Sequence, residues 1–199
     1  MSQVSPFNFV HSANFFKLEQ NIELGNELRL FFNDTNNDWL WKISTHRQTI
    51  THALRNTEYI NLRYLEGLVA STTMESNQHM TVGWAKAAEI PVFRKSMEYF
   101  FNYLKKTGAS QVEFGRIFIS KLSAKSTIDL HTDEGRYFSH YDRFHFTVTA
   151  APENKFVIQD QECVLEQDSF YWVDNHVPHW LENRSDDGRI NFIVDARLT

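Results

Sequence analysis

Residues 143–196 read RFHFTVTAAPENKFVIQDQECVLEQDSFYWVDNHVPHWLENRSDDGRINFIVDA. Five short runs stand out: 143–150 (RFHFTVTA), 155–159 (KFVIQ), 169–174 (SFYWVD), 179–183 (HWLEN) and 189–196 (RINFIVDA). Many of them alternate apolar and polar residues. Successive side chains of a strand leave opposite faces, so alternation buries one face and not the other. Several short strands at regular spacing predict a sandwich or barrel, and a jelly roll is one such solution.

Working outward, 127–132 (TIDLHT) and 111–122 (QVEFGRIFISKL) extend the β pattern, and 59–65 (YINLRYL) reads as one more strand. Between the last two lies the best helix of the chain, 91–106 (PVFRKSMEYFFNYLKK). Pro91 suits the first helical position, Lys105 and Lys106 the last turn, and Gly108 the exit. Val92, Phe93, Met97, Phe100, Phe101 and Leu104 form an apolar stripe that packs against a sheet. Residues 15–32 carry Leu18, Ile22, Leu28 and Phe31 at near-helical spacing, which Gly25 weakens, and 34–38 (DTNND) reads as a turn. The expectation is a mainly β fold with flanking helices, a double-stranded β-helix of the jelly-roll or cupin kind. Residues 1–199 read as a single domain. Within it, 1–110 supply helices and outer strands, and 111–199 supply the jelly-roll core.

The chain has 199 residues, 42% hydrophobic and 15% aromatic, including seventeen Phe. That is a globular composition. A net charge of −5 offers no electrostatic footprint for nucleic acid or an anionic membrane. Cys163, the single cysteine, has no partner for an internal disulfide, so a reducing, cytoplasmic setting is expected. Neither a signal peptide nor a membrane span is expected.

The chemistry is suggested by histidines near carboxylates. A ferrous oxygenase holds its metal with two histidines and one carboxylate, leaving positions open for oxygen and substrate. His-x-Asp can supply two of these ligands from one strand. With nine His and eleven Asp, chance alone supplies roughly half a match. Two occur, His131-Thr132-Asp133 and His140-Tyr141-Asp142. The tail adds weight: His179 opens one alternating run and Arg189 opens another ten residues later. A hairpin of that length brings both to one cavity. An arginine there grips a carboxylate with its fork and stays charged when partly buried.

Together these pieces resemble the aspartyl/asparaginyl β-hydroxylase family, which includes free-proline hydroxylases. The resemblance rests on His131-x-Asp133, Arg143-Phe144-His145, His179-x-Leu181-x-Asn183, Arg189-Ile190 and Asp195, over residues 111–197 and faintly 46–63. It implies an iron(II), 2-oxoglutarate-dependent dioxygenase that hydroxylates an unactivated C–H, consuming O2 and releasing succinate and CO2. It implies His131, Asp133 and His179 as metal ligands, with His176 as the alternative to His179. Arg189 and Ser120 then take the far carboxylate of 2-oxoglutarate, His145 contacts the same molecule, and Arg143 lies near a substrate carboxylate. The implied substrate is a free amino acid or an Asp, Asn or Pro residue of a peptide. Segments 134–142 and 72–86 are expected over the mouth. The competing expectation is a cupin metal-binding protein without oxygenase activity, an isomerase or a sensor, which has no need of Arg189 in the pocket.

Overall fold

A computed structural model describes residues 14–43, 52–65, 82–107 and 109–199. Twelve strands are present among them: β1 (Phe15–Gln20), β2 (Lys42–Ile43), β3 (Thr57–Leu65), β4 (Val82–Trp84), β5 (Val112–Leu122), β6 (Ser126–His131), β7 (Asp142–Thr149), β8 (Lys155–Ile158), β9 (Gln161–Cys163), β10 (Ser169–Val173), β11 (His179–Asn183) and β12 (Arg189–Leu198). Eight form a large antiparallel sheet in the order β1-β10-β7-β12-β5-β3-β2, with β4 on β3. The other four form a small sheet, β6-β11-β8-β9. Two facing antiparallel sheets, entered alternately by the chain, make the jelly roll read from the sequence.

The two helices are α1 (Ile22–Asn33) and α2 (Pro91–Lys106). Both pack on the outer face of the large sheet. There Phe93, Phe100 and Leu104 of α2 and Leu24 and Leu28 of α1 meet Phe144, Phe146, Phe170, Phe192 and Val194 in one buried cluster. Phe100 stacks on Phe170 at 4.8 Å and meets Phe192 edge-on at 5.1 Å. Such pairs add about 0.5–1.5 kcal/mol to the burial itself. A second cluster lies between the sheets, built from Leu122, Phe156, Ile158, Cys163, Tyr171, Val173 and Leu181.

The reading of 15–32 as one near-helical stretch is corrected. Phe15–Gln20 is an edge strand on β10, and Asn21 then caps α1 by accepting from the Leu24 N–H at 3.0 Å. The apolar spacing of Leu18 and Ile22 spans that junction, which is why it imitated a helix. Gly25, which weakened the reading, sits in α1 because a Cβ there would lie 1.8 Å from Asp168 Oδ1. Asp168 is in turn paired with Arg29, locking α1 to the turn before β10. The expected turn at 34–38 is a 3-10 helix, Thr35–Leu40.

Candidate functional site

The alternation along β12 divides its residues between two environments. Ile190, Phe192, Val194 and Ala196 belong to the helix-side cluster. Arg189, Asn191, Ile193 and Asp195 are the alternate set, all buried. The register places Asn191 opposite Ser120 of β5 and Thr147 of β7. Ile193 lies opposite Phe118 and His145, and Asp195 opposite Arg143. The inner wall of the large sheet is therefore a grid of polar side chains. It faces the small sheet, where His179 of β11 is in register with His131 of β6.

His131, Asp133 and His179 each offer one ligand atom, and these atoms all lie within 4.8 Å of one another. Among the described residues they are the one such group of three or more. The imidazoles are oriented alike. Nδ1 of His131 is 2.8 Å from the Asp129 carbonyl, and Nδ1 of His179 is 2.9 Å from the Val177 carbonyl. A carbonyl only accepts, so both Nδ1 atoms donate and both Nε2 lone pairs are left for a metal. Burial keeps His179 below the usual histidine range, hence neutral.

Asp133 lies just beyond the end of β6. Its N–H donates to the Asn175 carbonyl at 3.1 Å, and its Oδ2 accepts from Asn175 Nδ2 at 3.1 Å and from Arg143 Nη1. Burial alone would raise this carboxyl, but Arg143, His179 and Asn175 hold it down to about 2. It is ionised and pinned through one oxygen.

Arg143 is committed on three atoms. Besides Asp133, its Nε donates to Asp195 Oδ1 at 2.8 Å and its Nη2 to Asp195 Oδ2 at 3.1 Å. Asp195 Oδ2 also accepts from Tyr137 Oη at 3.0 Å and Arg116 Nε at 3.2 Å. Arg143 and Arg116 hold the Asp195 carboxyl below its usual range against the burial that opposes them. Tyr137 comes from the 134–142 segment, which packs inward; Tyr137 is 1% exposed. Gly115 permits this, since a Cβ there would meet Tyr137 Oη at 2.3 Å.

Arg189 is the opposite case. It is 4% exposed, and its guanidinium has no hydrogen bond or ion pair among the described residues. Burial pulls it down to about 10, so it remains a cation at neutral pH. Around it lie further polar atoms without partners: Nδ1 of His145, Oγ1 of Thr147 and Oδ1 of Asn191 are buried and unbonded. Ser120 likewise has no side-chain hydrogen bond among the described residues. Burial, with the charges of Arg143 and Arg189, keeps His145 neutral. An unpaired buried guanidinium costs several kcal/mol. A set of such groups in one place fits an organic anion.

The expected hairpin from His179 to Arg189 is an arch. β11 belongs to the small sheet and β12 to the large one, so residues 184–188 cross between layers and Arg189 starts the opposite wall. The second His-x-Asp pair serves other ends: His140 faces Glu113 at 3.6 Å, and Asp142 accepts from Trp172 Nε1 at 3.0 Å. His176 is tied to Asp174 at 3.0 Å and to the Phe138 carbonyl at 2.7 Å. Of the 72–86 segment expected over the mouth, residues 72–81 lie outside the described residues. Sequence reasoning passed over Arg116, Tyr137, Thr147, Asn175 and Asn191. Thr147 and Asn191 carried a signal, being polar residues two beyond His145 and two beyond Arg189 on alternating strands. Tyr137 and Asn175 sit in loops and carried none.

A cavity of about 590 Å³ lies elsewhere, along β3, lined by Trp39, Leu40, Tyr59, Ile60 and Ile90 among others. It is apolar and shares no residue with the histidine cluster. No helix among the described residues is long and apolar enough to cross a membrane.

The family model described as Aspartyl/Asparaginyl beta-hydroxylase matches residues 71–198. No curated protein matches the sequence. Among solved structures, a prolyl-4-hydroxylase from Pseudomonas putida is similar at 10% identity, over 94% of each chain, with a TM-score of 0.54. The collagen prolyl hydroxylase of Paramecium Bursaria Chlorella virus-1, solved as its 2OG complex, is 10% identical over 94% of this chain and 97% of that one, with a TM-score of 0.53. A 2OG-Fe(II) oxygenase family protein from Burkholderia pseudomallei is 11% identical over 72% and 69%, with a TM-score of 0.52. At these identities the likeness shows the fold.

Proposed function

The chain belongs to the aspartyl/asparaginyl β-hydroxylase family, and on that premise we propose that it is an iron(II)- and 2-oxoglutarate-dependent dioxygenase hydroxylating an unactivated C–H of a carboxylate-bearing substrate. The observation that carries the reading is Arg189. A buried guanidinium without an anion, on the wall opposite a two-histidine, one-carboxylate cluster, calls for a ligand that carries its own carboxylate into the site. A metal-binding cupin with no such co-substrate has no use for it.

His131, Asp133 and His179 hold the metal, with both Nε2 atoms presented by the carbonyl contacts of Nδ1. Their donor set suits ferrous iron with open positions. Arg189 grips the far carboxylate of 2-oxoglutarate, and Ser120 donates to it. His145, neutral and with Nδ1 free, serves as a hydrogen-bond partner that adds no charge beside the metal. Asn175 and Arg143 fix the Asp133 carboxylate so that it presents one face. Arg143 and Arg116 stand at the substrate end of the site, their charges balanced there by Asp133 and Asp195. Bound iron and 2-oxoglutarate together would supply the oxidising power, with one atom of O2 destined for the substrate hydroxyl and the other for succinate, the co-substrate losing CO2.

The test is anaerobic loading with iron(II) and 2-oxoglutarate, followed by oxygen and a screen of free amino acids and short peptides for succinate release. Iron-dependent succinate release is expected. Metal binding with no consumption of 2-oxoglutarate under any substrate would sink the dioxygenase reading and leave the non-redox cupin.

A further inference from the structure

We propose that Arg116 is the receptor for the substrate's carboxylate, an inference that rests on the hydroxylase reading above. Arg116, Phe118 and Ser120 are alternate residues of β5 and share its inner face. At a rise of about 3.3 Å per residue, Arg116 stands roughly 13 Å along the wall from Ser120. The wall is thus zoned. Ser120, Asn191 and Arg189 form the co-substrate end, Phe118 and Ile193 the middle, and Arg116, Asp195 and Arg143 the far end, beside Asp133.

Two arginines occupy that far end, in different states. Arg143 has Nε, Nη1 and Nη2 all bonded to Asp195 or Asp133, with its side chain 11% exposed. Arg116 uses only Nε, on Asp195. Its Nη1 and Nη2 have no hydrogen bond or ion pair among the described residues, and its side chain is 21% exposed. Its guanidinium carbon lies 4.5 Å from the Tyr137 ring centroid and 4.8 Å from that of Phe138. A fork fixed at its base, held between two rings and open at its tip is organised for bidentate carboxylate recognition. Preorganisation of this kind reduces the entropy lost on binding.

The charges agree. Arg116 and Arg143 cancel Asp133 and Asp195. A divalent iron and Arg189 then outweigh a dianionic co-substrate by one positive charge, which a substrate carboxylate offsets locally. The substrate class is a free carboxylate: an amino acid, or an acidic side chain of a short peptide.

The experiment is calorimetric titration of anaerobic protein loaded with iron(II) and 2-oxoglutarate, using the twenty free amino acids and their α-carboxamides. Asp and Glu are also compared with Asn and Gln. At least one carboxylate is expected to bind much more tightly than its amide counterpart. Arg116→Met, which keeps the apolar contacts, should weaken that acid on the order of 30-fold or more and leave the amide unchanged. Arg116→Lys should recover part of the loss. An unchanged acid-to-amide ratio in Arg116→Met overturns the proposal, as does the absence of any carboxylate preference in the unmodified protein. If Arg116→Met fails to fold, Arg116→Lys decides, since full affinity with a single-point ammonium denies the fork its role. Binding is read without turnover, so absence of succinate in the unmodified protein counts against the hydroxylase reading alone.

Discussion

The two faces of the large sheet use the same strands for opposite purposes. On the outer face, β12 gives Ile190, Phe192, Val194 and Ala196 to a cluster completed by the helices. On the inner face it gives Arg189, Asn191 and Asp195. The outer residues gain stability from packing. Several inner residues are buried at a cost: Arg189 lacks an anion, and Asn191, Thr147 and His145 each keep an unbonded buried atom. Polar groups left unsatisfied in a folded protein need an explanation, and the proposed co-substrate would supply it. One wall stores stability and the other spends part of it on recognition. Within the inner wall the contrast repeats, since Asp195 is saturated by Arg143, Arg116 and Tyr137 while Arg189 is not.

The largest expected effect comes from removing the metal cluster. His179→Ala and Asp133→Ala should each abolish turnover and metal binding, with the fold retained by circular dichroism; full activity in either would remove the ligand assignment. On the outer face, Phe100→Ala should cost about 3–5 kcal/mol in denaturant unfolding. Iron stoichiometry of the folded fraction should not change, because the lost contacts lie on the helix side. A loss of metal without a loss of stability would deny the division between faces.

Arg189→Met sharpens the contrast by separating two signs. The ligand-free protein should be as stable or more stable, by about 1–4 kcal/mol, because a buried unpaired charge is gone. The 2-oxoglutarate requirement should rise steeply. If thermal unfolding shows clear destabilisation instead, Arg189 has a structural partner. The smallest effect concerns His176, which bonds both Asp174 and the Phe138 carbonyl and so needs two protons. The Asp174 hydrogen bond raises its pKa above the ordinary 6.5, with the Phe138 carbonyl adding to it. A raised folded-state value stabilises fully below the unfolded pKa and is lost as pH rises through the folded one. Opening of the 134–142 segment, read by hydrogen exchange, should therefore increase with pH beyond the intrinsic exchange rate. His176→Gln should remove that dependence.

Much of this was readable along the chain. Strand alternation marked β5, β6, β7, β8, β10, β11 and β12 to within a residue or two at most ends. The helix at 91–106 was bounded by Pro91 and its terminal lysines. β9, β2 and β4 were missed, being two or three residues long and thus too short for a period to show. Gly25 misled in the other direction. Its absent Cβ looked like a weakness in a helix, whereas it makes room for Asp168 from a distant turn.

By itself the sequence determined the local periods, and with them the expectation of a sandwich or barrel, and it offered two His-x-Asp pairs as candidate ligands, since a period-2 pattern and a short motif are properties of neighbouring residues. It could not choose between two His-x-Asp pairs or between His176 and His179 without a family likeness. Only the tertiary structure decided which side chains share a space. It placed His131 across from His179, gave Arg143 two aspartates and Arg116 one, and left Arg189 with none. Those outcomes depend on strand register and on an arch between layers, and most join residues distant in the chain, as Asp195 is from Arg143 and Arg116.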